Sequence, residues 1–289
     1  MTVAIEMGHT TAGAPAALDL EELLATRLLV QGNSGSGKSH LLRRLLEQSA
    51  PWVQQTIIDP EGDFVSLGDR FGHLVIDAEE HTERGLQSAG ERARIHRVST
   101  VLNLEGLDAE NQMRRAAAFL GGLFDVARDH WYPMLVVVDE AQLFAPAVAG
   151  EVSDEARKLS LGAMTNLMCR GRKRGLAGII ATQRLAKLAK NVAAEASNFL
   201  MGRTFLDIDM ARAAKEGWPC PSDAAIARAY GSHSLRRARR LLTYIEEQGL
   251  IVCQLDGLGR RVVTLVELAW ATAPGDPNAE EAEQGSLAV

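Results

Sequence analysis

The chain has little cysteine: Cys169, Cys220 and Cys253 are its three, in 289 residues. An odd, widely spaced set with no C-x-x-C pair supports neither a disulfide framework nor a zinc site, and it fits a reduced, cytoplasmic setting. No apolar run approaches the ~18 residues that a membrane span requires, so no membrane partner is expected. The N-terminus lacks the basic-then-apolar layout of a secretory leader, and no internal repeat is evident. Nor is there an excess of basic charge. Lys and Arg number 31 against 37 Asp and Glu, a net charge of −6. That argues against a uniformly basic nucleic-acid surface but not against local patches. What the chain does have is length and an apolar content of 46 %, enough for one large domain and a small one.

From Leu28 onward, apolar segments alternate with amphipathic ones. Leu28–Val30, Gln55–Ile58, Leu74–Ile76, Val98–Leu102, Leu135–Val138 and Leu176–Ala181 read as strands. Runs of Val, Ile and Leu without polar alternation are buried on both faces, the pattern of a parallel sheet covered by helices. Helices are expected over Lys38–Gln48, Ala109–Ala127, Glu155–Cys169 and Asn191–Ala196. The expected fold is therefore α/β: a P-loop domain on a mostly parallel sheet over residues 27–216, after a short N-terminal segment, residues 1–26.

The P-loop is Gly32-Asn33-Ser34-Gly35-Ser36-Gly37-Lys38-Ser39, which fits G-x-x-x-x-G-K-[ST]. A buried strand precedes it and a helix opening with His40 follows, the context that gives the motif meaning. The glycines allow tight turns that aim backbone N–H groups at a phosphate, and the helix N-terminus adds partial positive charge. Lys38 would reach the β- and γ-phosphates of ATP, and Ser39 would ligate Mg²⁺. Residues 32–40 are the expected nucleotide-binding set.

Leu135–Val138 ends in Asp139-Glu140. Asp139 is placed to hold Mg²⁺ through water, and Glu140 to polarise the attacking water. Kinases of small molecules usually lack that second acid, so Glu140 favours hydrolysis. Leu176–Ala181 ends in Thr182-Gln183-Arg184, where the Gln183 amide can position water or sense the γ-phosphate. The basic run Arg170-Gly171-Arg172-Lys173-Arg174 precedes that strand. It reads as an arginine finger for a neighbouring subunit, with Arg172 first and Arg170 next, as a nucleic-acid contact, or as a solvated turn at a helix C-terminus. Arg203 is a further finger candidate. Asp59-Pro60-Glu61-Gly62-Asp63 closes the second strand, either beside the metal's water shell or as a plain turn.

Residues 216–222 hold Gly217, Pro219 and Pro221 and read as a linker. Beyond it, residues 217–270 suggest a winged helix: helices capped by Ser222 and Ser234, then Leu250–Leu255 and Arg260–Leu265 around Asp256-Gly257-Leu258-Gly259 as a hairpin. Arg236, Arg237 and Arg240 on the second helix, with Arg260 and Arg261 on the wing, form a footprint for DNA phosphates. No Asn or Gln among them suggests a base code. A protein-docking role for the module stays open. Residues 271–289 read as a disordered acidic tail.

Taken together, GNSGSGKS at Gly32, DPEGDF at Asp59, VVVDEAQLFAP at Val136, GRKRG at Gly171 and ATQR at Ala181 resemble the HerA/FtsK superfamily of DNA-pumping ATPases, closest to its HerA-like branch. The likeness spans roughly residues 18–206. It implies a RecA-like core, a homo-oligomeric ring, a hexamer, with ATP between subunits, double-stranded DNA through the ring, and a nuclease or other effector partner in DNA processing or phage defence. The N-terminal β-barrel typical of HerA is not expected ahead of Leu28. The rival readings are a nucleotide-gated signalling switch of the STAND type, which also joins a P-loop domain to a winged helix, and a small-molecule kinase, disfavoured by Glu140.

Overall fold

The structure is a computed structural model that describes residues 3–9, 13–32, 36–148, 150, 152–201, 214–229, 234–247, 251–266 and 269–279. The chain forms two compact units, Met1–Gly202 and Arg203–Val289.

The first unit is built on a seven-stranded sheet. Its strands are β3 (Leu28–Gln31), β4 (Gln54–Asp59), β5 (Leu74–Asp77), β6 (Thr100–Asn103), β7 (Met134–Val138), β8 (Leu176–Thr182) and β9 (Asn198–Met201). All pairs are parallel, in the order β5-β6-β4-β7-β8-β3-β9. The apolar runs are continuous because both faces are covered. In β7, Met134, Val136 and Val138 enter one core with Phe119, Leu123 and Phe144. Leu135 and Val137 enter the other with Leu42, Leu45 and Leu46.

The helices of this unit are α1 (Leu20–Ala25), α2 (Lys38–Ser49), α3 (Leu67–Phe71), α4 (Glu83–His96), α5 (Ala109–Asp125), α6 (Asp154–Thr165) and α7 (Lys190–Ala193). Side-chain caps start several of them: Thr82 accepts from Gly85 N at 3.1 Å, and Asp108 from Asn111 N at 2.8 Å. α5 ends at Asp125, two residues short of the expected Ala127. α6 gives way at Asn166–Arg170 to a π-helical turn, where one continuous helix was expected. α4 and α5 approach closely. A Cβ on Gly122 would lie 2.0 Å from Gln87 O, so the backbone contact excludes any larger residue.

The N-terminal segment carries more order than its small, polar residues announce. β1 (Ala4–His9) and β2 (Pro15–Asp19) form an antiparallel hairpin, with Ile5 opposite Leu18. Ile5, Leu20 and Leu23 are buried in the same core as α2. Arg44 on α2 donates from Nε to Glu6 O at 3.0 Å. The hairpin is thus seated on the helix that follows the P-loop.

In the second unit, α8 (Asp223–Ala229) and α9 (Leu235–Glu247) pack on an antiparallel sheet of β10 (Ile251–Leu255), β11 (Arg261–Leu265) and β12 (Trp270–Ala271). Its core is Ile226, Ala227, Ala238, Leu242, Ile245, Ile251 and Val263, with Cys220. Two expectations are corrected. The expected linker 216–222 is exposed over residues 216–219 but packed at its end, where Cys220 is fully buried and its N–H donates to Ala273 O at 2.9 Å. Nor do residues 271–279 hang free, because Gly275 and Arg261 exchange backbone hydrogen bonds of 2.9 and 2.7 Å. Residues 280–289 lie outside the described residues. Among the described residues, no helix is long and apolar enough to cross a membrane.

Candidate nucleotide site

The carboxyl ends of β4, β7, β8 and β3 lie side by side, since these strands are neighbours in that order. In open parallel sheets the ligand crevice lies at this edge, where the direction of winding changes. Each of the four ends delivers part of the site: Asp59 from β4, Asp139 and Glu140 from β7, Thr182 and Gln183 from β8, and the P-loop from β3.

The P-loop leaves β3 with Gly32 N–H bonded to Thr182 O at 3.2 Å. Gly37, at φ 86°, is the N-cap of α2, a left-handed conformation natural to glycine. Asn33, Ser34 and Gly35 lie outside the described residues. Ser36 Oγ is buried with no hydrogen-bond partner, a donor available to a phosphate oxygen. Ser39 is half-buried in the first turn of α2, and His40 is exposed.

Lys38 is 8 % exposed. Its ammonium spans two carboxylates, 2.5 Å from Asp139 Oδ1 and 2.7 Å from Glu140 Oε1. Burial would lower the Lys38 pKa, but the charge and hydrogen bonds of Asp139 and Glu140 prevail and raise it. Burial likewise works to raise Glu140, but hydrogen bonds from Lys38, Gln142 and Gln183 hold its carboxyl below the ordinary value. Both groups are therefore charged. Gln183 Nε2 donates to Glu140 Oε1 at 2.7 Å, and Gln142 Nε2 donates to Glu140 Oε2. Glu140 itself sits at φ 45°, ψ 45°. That left-handed conformation costs a residue with a Cβ about 1–2 kcal/mol and marks a geometry imposed by its surroundings.

Asp59 turns back on its own loop. Its carboxylate accepts from Asp63 N at 3.1 Å and Phe64 N at 2.8 Å. Burial raises its pKa to about 6 against the pull of those hydrogen bonds, and Asp139 adds to the rise. Burial also raises Glu61, with Glu140 and Asp139 contributing. Four acids thus share this edge with one lysine, a surplus of negative charge that a divalent cation would balance. Together with the partnerless Ser36 hydroxyl, this donor set fits Mg²⁺ held by Ser39 and Asp139. A cleft of about 640 Å³ opens beyond Glu140, lined by Glu61, Gln142, Gln183, Arg184 and Lys187 among others.

Arg170 and Arg172 lie elsewhere. They precede β8, whereas Gln183 follows it, and the seven residues of that strand separate the two ends by roughly 23 Å. Arg172 is exposed and donates to Ala25 O at 3.3 Å. Arg170 donates to Asn166 Oδ1 at 3.3 Å. Neither reaches the Lys38 site of its own chain. Arg203 lies outside the described residues.

On the second unit, Arg236 and Arg240 are exposed on α9, and the side chain of Arg237 is outside the described set. Arg260 is tied to Asp256, Nε to Oδ2 at 2.8 Å. Arg261 is a correction. It is 6 % exposed, pairs with Asp223 Oδ1 at 2.6 Å and donates to Pro221 O at 2.6 Å. Its neighbours hold it in the interior, so it presents nothing to a phosphate.

Sequence reasoning missed Gln142 and Thr182. Thr182 Oγ1 donates to Gln142 Oε1 at 2.6 Å, which ties the end of β8 to the Glu140 carboxylate. The signal was Gln142 two residues after Glu140, on a turn whose direction no local pattern reveals.

Residues 5–118 match the family of the helicase HerA central domain. No curated protein matches the chain in sequence. Among solved structures, VirB4 of Thermoanaerobacter pseudethanolicus superposes at a TM-score of 0.51 with 12 % identity, over 74 % of this chain and 90 % of that one. The likeness is one of fold. The genome packaging NTPase B204 of Sulfolobus turreted icosahedral virus 2 aligns over 89 % of this chain and 99 % of its own, at 14 % identity and a TM-score of 0.42. The cytoplasmic domain of the Thermomonospora curvata type VII secretion ATPase EccC aligns over 96 % of this chain and 27 % of its own, at 13 % identity and a TM-score of 0.44.

Proposed function

We propose that the chain is a HerA-like P-loop ATPase, the ATP-hydrolysing subunit of a hexameric ring that moves double-stranded DNA and works with a nuclease or other effector. The match of residues 5–118 to the helicase HerA central domain supports the family part of this reading. The observation that carries the hydrolytic part is the contact of Lys38 and Gln183 with one oxygen of Glu140, 2.7 Å from each. A phosphate-binding cation, a second acid and a strand-end amide converge where the γ-phosphate of ATP would lie.

The residues divide the work. The N-terminus of α2 and the Ser36 hydroxyl cradle the phosphates. Lys38 exchanges its two carboxylates for the β- and γ-phosphate oxygens, and this releases Glu140. Glu140 then takes a proton from water as the water oxygen bonds to the γ-phosphorus and the bond to the ADP oxygen breaks. Gln183 orients that water. Ser39 and Asp139 would hold Mg²⁺, whose charge offsets that of the phosphates.

The ring is supported by where the basic turn lies. Arg170 and Arg172 stand at the amino edge of the sheet, too far from their own Glu140 to act on it, so a finger from this turn can serve only another copy. Such fingers are worth about 10³–10⁵ in rate. Arg236 and Arg240, both exposed on α9, support phosphate contact by the second unit in a winged-helix role.

Steady-state ATP hydrolysis with and without duplex DNA, alongside imaging of particles with an ATP analogue, tests the reading. DNA-stimulated turnover and closed rings are expected. Tight nucleotide binding with negligible turnover, indifferent to DNA, would favour the signalling switch. Transfer of phosphate to a metabolite would favour a kinase.

A further inference from the structure

Glu140 must do more than be present; its carboxylate must face the water. A glutamate side chain has three rotatable bonds, and the left-handed backbone at Glu140 fixes only where the side chain begins. The two carboxylate oxygens are held differently. Oε1 meets Lys38 and Gln183. Lys38 leaves that oxygen when ATP arrives, on the mechanism above. Oε2 is held by Gln142, which has no reason to leave.

The Gln142 amide cannot turn over. Its Oε1 accepts from Thr182 Oγ1 at 2.6 Å, and Thr182 Oγ1 accepts from the backbone N–H of Arg184 at 3.2 Å. A backbone N–H only donates and a carboxylate only accepts, so the polarity of the whole chain is set from both ends. It runs from Arg184 N–H through the Thr182 hydroxyl and the Gln142 amide to Glu140. Thr182 has no exposed surface, so water does not compete for its hydroxyl.

We propose that Gln142 is a positioning residue for Glu140, anchored by Thr182, and that the pair couples the end of β8 to the hydrolytic base. The proposal rests on the reading of Glu140 as that base. Two neutral amides, Gln142 and Gln183, grip the carboxylate from its two oxygens once Lys38 has moved. Positioning of this kind works within about 0.5 Å and 10–20°. Anything that displaces residues 182–184 displaces the base with them, and Arg184 lines the cleft beyond it.

The test compares Gln142→Met, Thr182→Val, their double variant and Thr182→Ser in the full chain, measuring kcat, KM and affinity for a slowly hydrolysed ATP analogue. Each of Gln142→Met and Thr182→Val should lower kcat on the order of tenfold to a hundredfold, the first by removing a hydrogen bond to the charged carboxylate and the second by freeing the amide that makes it. Analogue affinity should stay within about twofold, because only orientation at the reacting centre is lost. The double variant should be no slower than the slower single, since both cut one chain. Thr182→Ser should restore what Thr182→Val loses. Losses that multiply in the double variant, that appear in affinity or thermal midpoint instead of kcat, or that Thr182→Ser fails to repair would overturn the proposal. A Glu140→Gln variant separates the two levels. If it is inactive while Gln142→Met turns over at the wild-type rate, only the positioning role falls. If it hydrolyses ATP normally, the base assignment falls and takes the positioning role with it.

Discussion

Lys38 shows how one side chain can hold a site together. Its ammonium lies between two buried carboxylates that would otherwise repel. Lys38→Ala therefore removes the counter-ion for ATP and also strands Asp139 and Glu140 without their cation. The expected result is loss of nucleotide binding together with a lower thermal midpoint in the absence of nucleotide. Glu140→Gln keeps the shape and the phosphate cradle, so ATP affinity should persist while hydrolysis falls by about 10²–10⁴. An active Glu140→Gln variant would remove the base from the mechanism. Asp59 supplies the pH dependence. Its carboxyl is raised from 3.8 to about 6, burial outweighing the loop N–H groups. Between those values the folded chain holds a proton that the unfolded chain has released, so the stability from this group is present below pH 3.8 and lost as pH rises through 6. Urea unfolding at pH 5 and pH 7 should show wild type losing more stability across that interval than Asp59→Asn. Parallel pH profiles would refute the shift.

At the scale of elements, legibility followed the source of the burial. β7 and β8 were readable because a strand covered on both faces needs a nearly unbroken apolar run, and each has one. The hairpin β1–β2 was not, because it buries one face on α2 through Ile5 while Gly8, Gly13 and Ala16 leave too little alternation to see. The segment 216–222 reads as a linker by its prolines, yet Cys220 is fully buried. Its hydrogen-bond partner, Ala273, comes from the far end of the unit. The same non-local packing redefines the β10–β11 hairpin. Arg261→Ala should destabilise the second unit by about 3–5 kcal/mol, because it leaves the buried Asp223 carboxylate without one cation. Arg236→Glu with Arg240→Glu should leave unfolding unchanged and flatten the salt dependence of DNA binding by about two units. A stable Arg261→Ala variant with weakened DNA affinity would reverse this assignment.

At the scale of the whole molecule, the proposed ring requires head-to-tail association, in which one copy's Arg172 would meet the next copy's γ-phosphate. Heterologous contacts of this kind close into rings when the rotation between copies permits. Arg172→Ala and Lys38→Ala chains should each be inactive alone. Mixed together, they should regain part of the ATPase rate, because some junctions then join an intact P-loop to an intact arginine. Failure of every mixing ratio to restore activity would exclude a finger in trans at this position. Full activity in a monomer would exclude the ring as a requirement.

The sequence by itself determined the chemistry that is local in the chain. A phosphate cradle must be built from consecutive backbone N–H groups, so the P-loop is a contiguous word, and Asp139-Glu140 closes an apolar strand whose burial is written in its own residues. Tertiary structure alone decided which side chains meet. Lys38 touches Glu140 because strand order sets β7 and β3 either side of β8, and Gln142 reaches Thr182 because the backbone at Glu140 turns left-handed. Arg261, which sequence spacing assigns to a surface, is drawn inside by Asp223, a residue 38 positions away. Charge pattern along a chain records which residues are ionised; only packing settles whether each charge faces water, a ligand or a buried partner.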